Sequence, residues 1–328
     1  MSNYHVYGIG NALVDIEYEI SPELMAQMQI DKGVMTLIEE DRHHSLLEQF
    51  SDRPCKKSCG GSAANTIIAV SQFGGKGFYS CKVAQDETGT FYLEDLLRNG
   101  VETNLQHQTR PEGVTGKCLV FVTPDADRTM NTYLGITGSF GTTELIPDAI
   151  AASEYLYIEG YLVSSPTGQT AAIKAREIAS QSGVKTALSL SDINMVKFFK
   201  QGLVDIIGPG LDFIFANESE ALAMAETDTV DGAVAHLKTL AKRFAITLGA
   251  KGSIIFDGEK LIEIPALSVQ AIDTVGAGDM YAGGFLYGMT HGMSDAEAGE
   301  LAAKAAGRIV TTYGPRLSKE ETRSLLEG

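Results

Sequence analysis

The sequence predicts a doubly wound α/β fold: a mostly parallel sheet, covered by helices on both faces, with a small β-sheet lid. Three observations carry this. Short apolar, β-branched runs alternate with helix-period segments along most of the 328 residues, which makes strand–helix–strand units and hence a parallel sheet. Several helical segments end on a glycine in the C-cap place. Two stretches, residues 14–58 and 103–135, break the rhythm with alternating strand-like pieces that cannot all extend a parallel sheet.

In chain order, YHVYGIG (4–10) reads as the first strand, and DIEYEI and GVMTLI fall in the first irregular stretch. AANTIIAVSQF has helical spacing, KGFYSCKVA (76–84) is a strand, and TFYLEDLLRNG is a helix closed by glycine. GKCLVFV and RTMNTYL make up the second irregular stretch. Strands follow at YLYIEG (155–160), KTALSL (185–190), DFIFAN (212–217) and RFAITLGA (243–250), separated by helices such as GQTAAIKAREIASQSG and DGAVAHLKTLAKR. An extended, alternating stretch from Leu261 to Ile272 precedes a small-residue helix from Met280 to Met289. The expected organisation is one domain over 1–328, with 14–58 and 103–135 as insertions that build the lid.

Composition narrows the function. With 44% hydrophobic and 21% charged residues the chain can bury a large core, and a formal net charge of -16 excludes nucleic-acid or anionic-membrane partners held by general electrostatics. A local basic pocket for a small anion stays open. Cys55, Cys59, Cys81 and Cys118 are few and lack metal-ligand spacing, so they read as reduced thiols of a cytoplasmic protein. No secretion-type leader and no run of 18 uncharged apolar residues occurs. Oligomeric state is not legible.

The segment DTVGAGD (273–279) places Gly276, Ala277 and Gly278 where a helix must start and follows them with Asp279. A helix N-terminus offers bare N–H groups and the positive end of the macrodipole, so small residues there let an anion reach the backbone. An acid beside an anion hole can take a proton from an alcohol as its oxygen attacks phosphorus. Taken alone, the tetrapeptide reads first as an aspartate complementing the helix dipole after a glycine turn.

Read with CGGSAANTIIAVSQFG (59–74), DTVGAGDMYAGGFLYGM resembles the paired signatures of the ribokinase-like (PfkB) carbohydrate kinases, over nearly the whole chain. GNALVDI, VMTLIEEDRHHSLLEQF, TGKCLVFVTPDADRTMNTYLG, YIEGYLV and FIFANESEALAMA are most similar to its adenosine kinase branch. The resemblance implies the doubly wound fold with a lid, and the helix-terminus anion hole in place of the absent Walker A loop. It further implies ATP and Mg²⁺, with K⁺ as an optional activator. The expected acceptor is a small-molecule nucleoside or sugar: the 5′ hydroxyl of a purine ribonucleoside, adenosine to AMP. A sugar kinase of ribokinase or fructokinase type, or an inosine or guanosine kinase, is the alternative. A catalytically silent binding protein is disfavoured by the intact GAG and Asp279. A dinucleotide oxidoreductase is disfavoured because GIGNAL has Leu13 where the fingerprint needs its third glycine.

Residue by residue, the resemblance makes Asp279 the base, Gly276, Ala277 and Gly278 the anion hole, and Arg128 the guanidinium that closes on phosphate. Asn11, Asp15, Gly60, Gly61 and Asn65 are expected to line the sugar; an amide and a carboxylate suit paired hydroxyls, though a polar strand exit and a helix N-cap explain the same residues. Thr36, Ile38, Met130, Thr132 and Leu134 of the lid are expected to face the base, with Tyr161 stacking on it. Asn217 and Glu220 match an Asn-x-x-Glu element that organises Mg²⁺, and the same spacing is a capping box. Thr247, Gly249 and Gly252 are expected beside the nucleotide, Lys304 near its adenine, and Asp273 with Gly314 at a monovalent-cation site.

Overall fold

The computed structural model describes residues 3–33, 35–124 and 128–327, with the Arg128 side chain outside that set. Fourteen strands occur in chain order among them: β1 (Tyr4–Ile9), β2 (Leu13–Glu19), β3 (Met35–Leu37), β4 (Lys56–Gly60), β5 (Gly77–Ser80), β6 (Glu102–Thr103) and β7 (Thr115–Val122), then β8 (Arg128–Gly135), β9 (Ser153–Glu159), β10 (Lys185–Ser189), β11 (Leu211–Asn217), β12 (Ala241–Thr247), β13 (Ser253–Phe256) and β14 (Leu261–Ile264).

Nine of them form one sheet in the order β14-β13-β12-β11-β10-β9-β1-β5-β6. From β12 to β6 every pairing is parallel, and β13 and β14 add an antiparallel ribbon at one edge. The parallel strands are buried on both faces, as their near-continuous apolar runs require. Along β9, Tyr155 and Tyr157 join one hydrophobic cluster while Leu156 and Ile158 join another across the sheet. The doubly wound α/β expectation therefore holds, since period-two alternation divides one strand between two helical layers.

The second sheet runs β3-β8-β7-β2-β4. Its strands begin at Leu13 and, in the second stretch, at Thr115; Glu102–Thr103 instead pair with β5 at the edge of the large sheet. Behind it lies the Glu40–Phe50 helix, whose Phe50 ring packs on Tyr18 and Phe121. The 261–272 stretch is a strand only through Ile264. Pro265 follows at a sheet edge, where nothing pairs with a continued strand, so Leu267, Val269 and Ile272 stay exposed.

Two features of this topology position the site. β1 lies between β5 and β9, so the crossovers leave it in opposite directions and open a crevice at the carboxyl ends of β1 and β9. The Ala277–Thr290 helix, the DTVGAGD helix, packs closely on the Ser62–Phe73 helix: a Cβ on Gly283 would lie 2.6 Å from that of Ala69. Their first turns consequently meet at the crevice.

Candidate active site

The strands end on polar residues at this edge: Asn11 just after β1, Glu159 on β9, Ser189 on β10, Asn217 on β11 and Thr247 on β12. Lid strands β2, β7 and β8 face them with Asp15, Cys118, Met130, Thr132 and Leu134. Together they line one cavity of about 430 Å³. It is apolar on the lid side and polar where the two helices start.

Asp279 stands at that polar end, in the first turn of its helix. Gly276 caps the helix with φ 76°, and a Cβ there would lie 2.5 Å from the Pro315 carbonyl oxygen, so only glycine fits. Beside Gly278 a Cβ would meet nothing within 4 Å, which leaves open space over the backbone. The first helical hydrogen bond is Met280 N–H to Gly276 O; the Gly278 and Asp279 amides precede it and have no helical partner. This is a bare, positive helix terminus facing a cavity. Two donors hold the Asp279 carboxylate: Ser62 Oγ at 2.6 Å and Asn65 Nδ2 at 2.9 Å. Burial pushes its pKa up to about 6, against the pull of those two bonds and of Arg316. A carboxylate poised there is ionised at neutral pH, yet far more basic than an exposed aspartate.

A second buried carboxylate lies beneath the crevice. Glu159, 1% exposed, accepts 3.2 Å bonds from the Asn11 backbone N–H and Nδ2, and a 2.9 Å bond from the Ala63 N–H in the first turn of the Ser62–Phe73 helix. It thus ties the exit of β1 to the start of that helix. Burial, reinforced by Asp279, lifts its pKa to about 7 although these bonds oppose the rise.

Asn11, Asp15, Gly61, Asn65, Met130, Thr132, Leu134, Tyr161, Asn217, Glu220, Thr247, Gly276, Gly278 and Asp279, all singled out from sequence, line this cavity. Several others stand elsewhere. Thr36 and Ile38 are not in the lining; their neighbours Met35 and Leu37 are, and Ile38 packs on the hydrophobic core. Strand alternation puts Met35 and Leu37 on one face of β3 and Thr36 on the other. Gly60 makes room rather than contact, since a Cβ there would lie 2.5 Å from an Asp15 carboxylate oxygen. Ala277, Gly249, Gly252, Asp273 and the exposed Lys304 also lie outside the lining. Asp273 is a loop clamp: its carboxylate accepts from Val275 N–H at 3.0 Å and Gly314 N–H at 2.8 Å. Arg128 opens β8, and its side chain lies outside the described residues.

Asn217 and Glu220 form a complete capping box: Asn217 Oδ1 accepts from Glu220 N–H, while the glutamate takes Asn217 N–H at 2.9 Å and Nδ2 at 2.7 Å. Glu220 is buried, which raises its pKa to about 7. Among the described residues no cluster of three or more His, Cys, Asp or Glu could hold a metal ion on its own.

Sequence reasoning missed Ser62, Glu159, Arg316, Met35, Leu37 and Met195. For Glu159 a signal exists, an acid at the carboxyl end of an otherwise apolar parallel strand, where ligands of open α/β sheets bind. Arg316 carries none, because its partners Asn65 and Asp95 are 251 and 221 residues away.

Comparison with known proteins places this geometry. The model of the pfkB family carbohydrate kinases matches residues 35–323. Adenosine kinase of Saccharomyces cerevisiae is 26% identical, over 95% of this chain and 96% of that protein. The crystal structure of adenosine kinase from Sinorhizobium meliloti superposes with a TM-score of 0.90 at 36% identity, covering 99% of both chains. That of a probable sugar kinase from Rhizobium etli gives 0.90 at 34% identity, over 100% of this chain and 99% of the other.

Proposed function

The chain belongs to the pfkB family of carbohydrate kinases, and from that premise we propose that it transfers the γ-phosphoryl group of ATP to the 5′ hydroxyl of a purine ribonucleoside, converting adenosine to AMP. The observation that carries the nucleoside reading is the continuity of the cavity. One cavity is lined by Asp279, Asn11 and Asp15 together with Leu37, Met130, Leu134, Tyr161 and Met195. A free pentose would engage the polar residues and leave the apolar ones wet, whereas a flat base covers them.

In the proposed reaction the 5′ oxygen attacks the γ-phosphorus, its proton passes to Asp279, and the bond from the γ-phosphorus to the bridging oxygen breaks to release ADP. The Gly278 and Asp279 amides at the helix terminus stabilise charge on the transferring group, in a site that burial has already made low in dielectric. Asn11 and Asp15 take the ribose hydroxyls, and Arg128 closes on the phosphates. Thr247 flanks the nucleotide, with Gly249, Gly252 and Lys304 farther along that side. Asn217 and Glu220 are the residues that would face a Mg²⁺ ion carried by the ATP phosphates, an ion that would neutralise phosphate charge and that takes few protein ligands. Asp273 and Gly314 are the residues that would hold a monovalent cation such as K⁺.

The test is ADP release measured against adenosine, inosine, guanosine, ribose and fructose. Adenosine should give the highest kcat/KM, with AMP as product. A higher value for either free sugar would replace this reading with a sugar kinase.

A further inference from the structure

We propose that Arg316 is a positioning residue for Asp279: acting through Asn65, it keeps the aspartate in its proton-accepting form. The inference rests on the reading of Asp279 as the base. Arg316 lies in the C-terminal loop, and its Nε donates to Asn65 Oδ1 at 2.8 Å. Its Nη1 donates to Asp95 Oδ2 at 2.6 Å, with the two side chains only 14% and 16% exposed.

The chemistry of these groups fixes an order. A guanidinium is donor only, so the Asn65 atom facing it must be the carbonyl oxygen, and the amide NH₂ must then face Asp279. An asparagine without that anchor can turn its oxygen toward the carboxylate, which would favour the protonated acid. Arg316 therefore acts twice: it selects the amide orientation that binds the ionised form, and its charge opposes the effect of burial. It also belongs to the loop whose Pro315 packs on Gly276, so the same anchor holds the helix terminus.

The groups acting on Asp279 come from several elements. Ser62 and Asn65 reach it from the Ser62–Phe73 helix, Tyr157 and Glu159 from β9, and Tyr161 from the turn that follows. Behind Arg316 stand Asp95 and Cys59, with Asp15 of the lid acting on Cys59. Among these charged groups Arg316 is the cation that lowers the Asp279 pKa, and Glu159 is a carboxylate whose pKa the Asp279 charge raises.

The test reads the proton on Asp279 without substrate. In ¹³C-aspartate-labelled protein the Asp279 carboxyl signal is assigned by its loss in Asp279→Asn and titrated in the unmutated and Arg316→Gln proteins; Glu159, a glutamate, does not contribute. The midpoint should rise by about one pH unit in Arg316→Gln. In parallel, kcat/KM for adenosine should fall about fivefold more at pH 6 than at pH 8.5, with part of the loss restored by Arg316→Lys. A merely structural role would lower activity equally at both pH values, and an unmoved midpoint overturns the proposal. If Arg316→Gln shows no cooperative melt, Asp95→Asn decides: it removes the counter-charge and leaves Arg316 on Asn65, so the midpoint should drop by about half a unit, and one that stays or rises overturns the proposal. A midpoint that moves in a protein that phosphorylates no nucleoside would sink the proposed function while leaving the role of Arg316 intact.

Discussion

At Asp279 stability and activity oppose each other. The carboxyl is ionised at neutral pH in a place where burial favours the acid, so its folded pKa, about 6, exceeds the value of 3.8 for a free aspartate. A carboxyl with a raised folded pKa costs nothing when both states are protonated. The cost grows as pH rises from about 4 and is complete above about 6, because the unfolded chain releases the proton first. The shift amounts to at most about 3 kcal/mol, less whatever solvent reaches the site. Asp279→Asn should thus melt above the unmutated protein at pH 8, and that advantage should vanish near pH 4. Turnover should meanwhile fall about 10²- to 10⁴-fold, the span of general base catalysis, with little change in substrate Kd. The unmutated enzyme should lose kcat/KM as pH falls through about 6, where Asp279 takes up its proton. Near-normal turnover in a folded Asp279→Asn protein removes it from the mechanism, and a melting advantage that persists at pH 4 removes the electrostatic account.

Among the elements, β3 shows where sequence reading stops. MTL is visibly a strand, but with three residues and no hairpin pairing of its own it carries no internal mark of register. Its face is set by parallel pairing to β8, which aligns Met35 with Met130 and Leu37 with Thr132. Leu37, 53% exposed, therefore offers its side chain to the cavity, while Thr36 does not line it. Leu37→Ala should lose about 1 to 2 kcal/mol of apolar contact, raising the adenosine Kd roughly 5- to 30-fold, whereas Thr36→Ala should stay within about twofold. The reverse ranking by calorimetry would return the base contact to Thr36, as the family resemblance implies. Legibility follows the range of the signal. The glycine-led helix terminus, the capping box at Asn217 and the alternating strands are local patterns, and they were readable. The bonds from Glu159 to Asn11 and Ala63, and from Arg316 to Asn65, join residues 96 to 251 positions apart, and only the fold brings them together.

In the whole molecule the cavity belongs to neither sheet alone. The large sheet supplies Asn11, Glu159 and, just beyond β9, Tyr161, while the small sheet supplies Asp15, Met130 and Leu134. Asn11 and Tyr161 come from one layer and Asp15 and Met130 from the other, so a ligand that fills the cavity must touch both layers. On the proposed reading a nucleoside engages both sets, whereas a free pentose engages Asn11 and Asp15 alone. Tyr161 separates the cases, because it lies on the turn after Glu159, lines the cavity, and takes no part in the bonds that hold Asp279. Its ring is a stacking face worth on the order of 1 to 3 kcal/mol for a base. Tyr161→Ala should accordingly raise the Kd for adenosine roughly 5- to 150-fold and leave that for ribose unchanged. Calorimetry of both ligands on both proteins gives the four constants. Adenosine binding untouched by the substitution would mean that no base lies between the sheets, and ribose bound more tightly than adenosine by the unmutated protein would assign the cavity to a sugar.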